Sequence, residues 1–214
     1  MVWTTLVDAD TKALVAQAKR ALRGRMKGVR GALPRSSVEA RSARIVECLS
    51  SLPELEAARG VALFWPMEKK NEVDLRALDA ALRALGKRLY YPFMTPIEGG
   101  FRTGFRRLED VSLLEARGRG FSEPPVSATA AVRGDVDLVV VPALAVSPDG
   151  YRVGYGIGFY DVTLPDVCPP ATSVVVAFSF QLVAEAPHDD DDFACDLIVT
   201  DEGVSDARPG RGPA

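Results

Sequence analysis

The feature that most constrains the fold is a buried strand that runs directly into a glycine-rich loop. Residues 137–146 are almost entirely apolar, which is typical of a strand buried on both faces of a parallel sheet. Glycines follow at positions 150, 154, 156 and 158, and Phe159-Tyr-Asp161 then indicates the start of a helix. A loop of this kind presents backbone N–H groups to an anion, and the helix dipole favours negative charge there. The sequence therefore predicts an α/β fold with a phosphate-binding loop.

The loop does not match the common phosphate-binding fingerprints. A Walker A loop requires Lys and then Ser or Thr after its last glycine, and residues 150–161 contain no lysine. A dinucleotide fingerprint beginning at Gly154 requires a glycine where Phe159 stands. Arg152 adds a cation suited to binding a phosphate through two hydrogen bonds. From the residues alone, a turn that only lets a strand and a helix pack closely is an equal alternative.

Residues 154–161, Gly-Tyr-Gly-Ile-Gly-Phe-Tyr-Asp, resemble the Gly-Tyr-Gly-Gly-Gly-Tyr-Tyr-Asp signature of 5-formyltetrahydrofolate cyclo-ligases (methenyltetrahydrofolate synthetases). Arg152 is similar to an arginine that precedes this signature in the family. The resemblance covers roughly residues 12–204 through further segments in the family's order: Lys19-Arg-Ala-Leu-Arg23, Phe64-Trp-Pro-Met67 followed by Glu72, Phe178-Ser-Phe-Gln181, and Asp196–Gly203.

The chain also departs from the family pattern at several positions. Phe159 stands where many members have Tyr, and Ile157 where they often have Gly. Val162 replaces an arginine that commonly follows the signature's Asp. The loop between Met67 and Glu72 is two residues longer than the common family form.

Buried strands joined by helices predict one α/β domain over residues 1–205 and a flexible tail over 206–214. The resemblance implies a three-layer sandwich with a mostly parallel sheet flanked by helices, of the CoA-transferase-like (NagB/RpiA-like) kind. We expect the first helix to begin after Asp10 and to span residues 11–30. Further helices are expected near 36–52 and 74–85, and strands near 61–65, 88–91, 137–142, 173–178 and 196–200.

The resemblance implies ATP-dependent conversion of 5-formyltetrahydrofolate to 5,10-methenyltetrahydrofolate with release of ADP and phosphate. It implies Arg152 and Asp161 as catalytic residues, and Mg²⁺ held by Asp161 and Asp196. The implied ATP-binding residues are Lys19, Arg20, Arg23, Arg152, Gly154, Tyr155, Gly156, Ile157, Gly158, Phe159 and Tyr160. The implied residues for the reduced folate are Phe64, Trp65, Glu72, Tyr155, Gly156, Ile157, Gly158 and Phe159.

From the residues alone, these assignments have plain structural alternatives. The Lys and Arg residues of the first helix also fit a solvated helix face. Glu72 and Asp161 also fit acids favoured by the dipole at a helix start, and Asp196 fits an ordinary residue at a strand edge. Two rival functions stay open: a non-catalytic ATP or folate binder, and an ATP-dependent ligase or kinase acting on another small anionic substrate.

Composition excludes several other classes of function. A net charge of −3 argues against general nucleic-acid binding, and no apolar run approaches the ~20 residues of a membrane span. The first ten residues lack the basic segment of a secretory signal. Three widely spaced cysteines favour the reducing cytoplasm, and a lone histidine disfavours a Ser-His-Asp or Cys-His mechanism. We expect a cytoplasmic monomer that binds ATP and a reduced folate.

Overall fold

The structure, a computed structural model, describes residues 2–117 and 121–208. The helices are α1 (Val2–Gly31), α2 (Arg35–Ser50), α3 (Pro53–Ala57), α4 (Arg76–Ala84) and α5 (Phe159–Val167). The strands are β1 (Gly60–Ala62), β2 (Arg88–Ile97), β3 (Gly100–Arg107), β4 (Glu115–Ala116), β5 (Ser122–Glu123), β6 (Leu138–Pro142), β7 (Ala145–Val146), β8 (Arg152–Val153), β9 (Thr172–Val176), β10 (Leu197–Thr200) and β11 (Gly203–Asp206). Short 3₁₀ turns lie at Glu68–Lys70, Val111–Leu113 and Ser179–Gln181.

The main sheet has seven strands in the order β11-β10-β9-β6-β1-β2-β3. The five inner strands are parallel, whereas β11 and β3 run antiparallel to their neighbours at the two edges. This arrangement confirms the predicted α/β class and the mostly parallel sheet. Because β1 has β2 on one side and β6 on the other, the chain changes its winding direction between β1 and β6. Open α/β sheets bind ligands beyond the carboxyl ends of the strands at such a point.

Helices cover both faces of the sheet, and the central strand β6 is apolar at every position. Successive side chains of a strand point to opposite faces. On β6, Leu138 and Val140 pack with residues of α2 and α4, whereas Val139 and Val141 pack with residues of α5. These four side chains are fully buried. The result is the three-layer sandwich that the resemblance implied.

Strand β2 is longer than the sequence predicted. The strand predicted over residues 88–91 ends before Pro92, because proline cannot donate to a β ladder. In the structure Pro92 lies inside β2, which pairs with β3 as far as Ile97. Met94, two residues on, points its N–H away from β3 and donates to the Glu123 carboxylate at 2.9 Å. Pro92 has the same orientation, on a side that β1 no longer covers, and it therefore removes no ladder hydrogen bond.

Both ends of the chain also differ from the prediction. Helix α1 begins at Val2 instead of after Asp10. At the other end, β11 extends one residue into the predicted tail, and the Arg208 guanidinium donates to the Asp206 carboxylate at 2.5 Å. Residues 209–214 of that tail lie outside the described residues. Within the described ranges, no helix combines the length and the apolar character that crossing a bilayer requires.

Candidate active site

A cavity of about 290 Å³ opens where β1 and β6 end, at the point in the sheet where the winding direction changes. Its walls come from α1, from the segments that follow β1 and β6, and from the glycine loop and the first turn of α5. The structure brings most of the predicted site residues to this one cavity. They are Lys19, Arg23, Phe64, Trp65, Glu72, Arg152, Gly154, Tyr155, Gly156, Ile157, Gly158, Phe159, Tyr160 and Asp161.

The glycine loop turns into α5 through two residues with positive φ. Gly158, at φ +78°, is the N-cap of α5, and no side chain caps this end of the helix. The first-turn N–H groups therefore remain available to an anion. Gly156 has φ +98°, and a Cβ built on it would lie 3.2 Å from the Arg23 guanidinium carbon. Any larger residue at 156 would be strained and would press on Arg23.

Arg152 and Asp161 form a fixed ion pair against the cavity wall. The Arg152 guanidinium donates to Asp161 Oδ1 at 2.9 Å and to the Phe193 carbonyl at 2.6 Å. The Phe193 amide donates to the same Asp161 oxygen at 3.3 Å. Arg152 is buried, whereas the Asp161 side chain remains 29% exposed on the cavity side. Asp161 can therefore accept a further ligand while Arg152 holds its orientation.

Helix α1 contributes Lys19 and Arg23, which lie one turn apart on the same face. The Lys19 ammonium donates to the Asp192 carboxylate and lies 3.7 Å from Asp189. Arg23 Nε donates to the Gly154 carbonyl at 2.9 Å, which ties the helix to the glycine loop. Arg20 is exposed and does not line the cavity, because one residue along an α-helix rotates the side chain to another face. Arg20 therefore lies apart from the other predicted ATP-binding residues, and its contact with ATP stays a prediction.

The structure does not bring Asp196 to the cavity wall beside Asp161, so their shared role at a metal stays a prediction. Asp196 lies at the amino end of β10 and is not part of the cavity wall. Its Oδ2 accepts from the Ser173 amide at 2.8 Å and from the Ser173 hydroxyl at 2.6 Å, so it joins β10 to β9. Asp192 lines the cavity instead, beside Phe193, which contacts Asp161. Asp192 belongs to a run of four consecutive acids at 189–192, and the sequence does not indicate which of them turns inward.

Glu72 also lines the cavity and is 4% exposed. Its carboxylate accepts from the Met67 amide at 2.8 Å. Burial raises the pKa of Glu72, although the Met67 hydrogen bond and the charges of Arg30 and Lys70 oppose the rise. Phe64 and Trp65, which follow β1, form an apolar wall of the same cavity.

Tyr155 joins this carboxylate to the basic residues of α1. Its hydroxyl is hydrogen-bonded to Arg30 and Glu72. Burial, reinforced by the nearby charge of Glu72, raises the pKa of the Tyr155 hydroxyl. The hydroxyl therefore stays protonated and can donate to the Glu72 carboxylate.

Sequence reasoning missed Arg30 and Lys70. Arg30 is buried, bonds the Tyr155 hydroxyl and donates to the Ala143 carbonyl at 3.3 Å. Its spacing of seven from Arg23 continues the basic face of α1 and could have identified it. Lys70, which also lines the cavity, lies in the longer loop before Glu72. Gln181, matched by resemblance, donates to the Ala143 and Leu144 carbonyls at 3.1 and 2.8 Å and holds the turn after β6.

Comparison with known proteins agrees with this arrangement. A sequence model of the 5-formyltetrahydrofolate cyclo-ligase family matches residues 15–201. The 5-formyltetrahydrofolate cyclo-ligase of Mycolicibacterium smegmatis is 38% identical over 82 residues, which cover 38% of this chain and 42% of that protein. The Escherichia coli protein of the same name is 28% identical over 158 residues, 73% of this chain and 85% of its own length.

A solved structure resembles nearly the whole chain. The 5,10-methenyltetrahydrofolate synthetase of Aquifex aeolicus superposes with a TM-score of 0.76 at 33% sequence identity. The superposition covers 92% of this chain and 96% of that chain. Together with the match of the family model to residues 15–201, these similarities assign the sequence to a family. The chain belongs to the 5-formyltetrahydrofolate cyclo-ligase family.

Proposed function

We propose that this protein uses ATP to cyclise 5-formyltetrahydrofolate to 5,10-methenyltetrahydrofolate, with release of ADP and phosphate. The observation that carries the proposal is the composition of one cavity. An uncapped helix N-terminus with basic side chains lines it together with the buried carboxylate of Glu72 and an aromatic wall. Such a cavity suits a phosphate donor and a flat heterocycle that meet at their reactive ends.

One set of cavity residues suits the phosphates of ATP. The α5 N-terminus and the glycine-loop amides would hold phosphate oxygens, with Lys19, Arg23 and Arg152 neutralising their charge. Phosphoryl transfer depends mainly on positioning and charge stabilisation, which these groups supply. Arg152 is already oriented by Asp161 and Phe193, so little reorganisation accompanies the reaction.

A second set of cavity residues suits the pterin ring. Phe64 and Trp65 offer an apolar wall, and Glu72 can accept hydrogen bonds from pterin N–H groups. The Tyr155 hydroxyl bonds Glu72, and Arg30 donates to that hydroxyl, so the carboxylate is held in place. A buried carboxylate that accepts from a ring favours ligands with adjacent N–H donors, which the reduced pterin carries.

The chemistry requires no covalent bond to the protein. The formyl oxygen attacks the γ-phosphorus of ATP and ADP leaves. N10 of the folate then attacks the activated formyl carbon, loses its proton, and phosphate departs with the former formyl oxygen. Burial raises the pKa of Cys168 to about 12 and also raises that of Cys195, so neither thiol is an available nucleophile. The residues of the site would act by positioning the two substrates and stabilising phosphoryl charge.

The carboxylates of Asp161 and Asp192 fit a Mg²⁺ ion at the phosphate side. Both line the cavity, and Mg²⁺ is typically held by one or two carboxylates together with substrate phosphates and waters. Adjacent phosphates would repel two bare carboxylates, and a divalent cation removes this conflict. When bound, the ion would neutralise charge that develops on the phosphoryl oxygens. Lys19 and Arg152, which contact these acids, would orient them.

The proposal is tested by incubating the pure protein with MgATP and 5-formyltetrahydrofolate while recording the absorbance of the methenyl product. We expect ATP-dependent product formation. Asp161→Asn should lower turnover about a hundredfold, since losing a charge-stabilising contact costs on the order of 3 kcal/mol. Asp190→Asn is the control, because Asp190 is an exposed acid two residues before Asp192. If the protein consumed ATP with another acceptor but not with 5-formyltetrahydrofolate, the proposal would be refuted. That result would favour a ligase or kinase that acts on a different substrate.

A further inference from the structure

Arg30 is a buried cation that touches neither ATP nor the folate in the proposed function. It is 3% exposed and is not part of the cavity wall. One guanidinium nitrogen bonds the Tyr155 hydroxyl, and another donates to the Ala143 carbonyl at 3.3 Å. The Arg30 Nε has no partner among the described residues. Burying a charge and an unpaired donor is unfavourable, so the stability of the fold alone does not account for an arginine at this position.

One side chain, Tyr155, connects Arg30 to the carboxylate that is proposed to bind the pterin. The Tyr155 hydroxyl accepts a hydrogen bond from Arg30 and donates one to Glu72. Successive hydrogen bonds polarise one another, so a hydroxyl that accepts from a cation becomes a stronger donor. Asn71, which precedes Glu72, also donates through Nδ2 to the Arg30 carbonyl at 2.9 Å. Arg30 is therefore joined to Glu72 by two routes.

The charges around Glu72 and Tyr155 differ in how strongly water screens them. The further charged or titratable groups here come from α1, the loop before Glu72, and α5; they are Lys27, Arg30, Lys70 and Tyr160. Burial raises the pKa of both tyrosines, so their hydroxyls stay protonated at neutral pH. Lys27 and Lys70 are exposed and water screens their charges, whereas Arg30 is buried. Burial raises the pKa of Glu72, and Arg30 is the cation that opposes this rise most.

We propose that Arg30 is a positioning residue for the folate: acting through the Tyr155 hydroxyl, it holds Glu72 in the orientation and charge state that accept from the pterin. The inference rests on the proposed function and names a residue that determines folate affinity without touching the substrate. A protonated Glu72 would present an O–H donor to the N–H donors of the pterin, which opposes binding. Without the charge of Arg30, Glu72 would take up a proton at a higher pH.

The test measures dissociation constants for 5-formyltetrahydrofolate and for ATP by titration calorimetry from about pH 5.5 to 8. Arg30→Met should weaken folate binding about tenfold at neutral pH and leave the ATP affinity within about twofold of wild type. The pH at which folate affinity falls should be higher in Arg30→Met, because Glu72 then protonates more readily. Arg30→Lys keeps the charge and should restore most of the wild-type pH dependence. Arg25→Met, at an exposed arginine of the same helix, is the matched control.

A double-mutant cycle with Tyr155→Phe tests whether Arg30 acts through the hydroxyl. This variant keeps the ring and removes the group that links Arg30 to Glu72. It should raise KM for the folate with little change in kcat, and Arg30→Met added to it should cause a smaller loss than in the wild-type background. Its folate affinity should also fall at a higher pH, since the Tyr155 hydrogen bond favours the charged form of Glu72. Thermal melting checks folding, and Tyr155→Phe with Arg30→Lys decides the question if Arg30→Met does not fold.

The results that would overturn the inference are distinct. Wild-type protein that binds the folate, with variants unchanged in folate affinity and in its pH dependence, would overturn the role of Arg30 alone. Losses that add fully in the double variant would overturn the path through Tyr155. Equal losses of ATP and folate affinity in a folded variant would indicate a general structural effect and overturn it as well. Wild-type protein that binds no folate would overturn the inference together with the proposed function.

Discussion

Glu72→Gln tests how the buried charge of Glu72 affects folding stability and, separately, how it affects the proposed folate binding. The substitution removes the charge and keeps the shape of the side chain. Burial raises the pKa of Glu72 above its ordinary value of 4.5. A group whose pKa is raised by folding stabilises the folded state most when protonated, below its unfolded pKa. That contribution is lost as the pH rises through the folded pKa. Glutamine stays neutral, so the variant should become more stable relative to wild type between about pH 4.5 and neutrality.

Whereas the variant should be more stable, its affinity for folate should fall. Hydrogen bonds to a charged group contribute about 1.5–3 kcal/mol each, so loss of one charged acceptor should weaken folate binding about 10- to 150-fold. ATP binding should be nearly intact, because Glu72 is not among the residues proposed to hold the phosphates. A variant that is equally or more stable and binds folate much less tightly would show that charge, and not folding, is responsible.

The assay is thermal melting of both proteins from pH 4.5 to 8, with folate and ATP titrations at neutral pH. Glu68→Gln is the control, since its carboxylate is 55% exposed and pairs with Arg76 on the surface. Unchanged folate affinity in Glu72→Gln would refute the pterin contact and the alignment of this loop. A stability difference that is constant with pH would refute the role of burial.

Three further variants test individual contacts. Gly156→Ala should weaken ATP binding about tenfold and lower the melting temperature, because φ +98° is strained for alanine and its Cβ would crowd Arg23; unchanged ATP titrations would contradict this. Asp192→Asn should lower turnover about a hundredfold and change its Mg²⁺ dependence. Asp196→Asn should lower the melting temperature by several degrees through the lost Ser173 contacts. The Mg²⁺ dependence of its turnover should match that of the wild type. A shifted dependence would indicate that Asp196 does take part in metal binding.

The parts of the fold predictable from the sequence are those set by local pattern. Continuous apolar runs located β6, β9 and β10 to within two residues, since a strand between two helix layers tolerates few polar positions. Pro92 ended the predicted β2 too early, because sequence does not tell whether a neighbouring strand needs its N–H. The sequence therefore does not predict that β2 continues to Ile97 and pairs with β3.

The candidate site was predictable where one segment contains it and less so where distant segments meet. The glycine loop and the Lys19–Arg23 pair could be identified locally, and both line the cavity. Asp192 and Asp196 lie four residues apart, and only the start of β10 determines that one faces the cavity and the other Ser173. Lys70 reaches Tyr155 through the turn held by Asn71, a contact between remote segments that no local pattern records.

The most direct test of the proposed cyclo-ligase reaction follows the formyl oxygen. Pure protein is incubated with MgATP and 5-formyltetrahydrofolate labelled with ¹⁸O in the formyl group, and the methenyl product, ADP and phosphate are quantified with mass analysis of the phosphate. The account predicts one ADP and one ¹⁸O-labelled phosphate for each methenyl product. Methenyl product formed without ADP, or phosphate that carries no label, would contradict it.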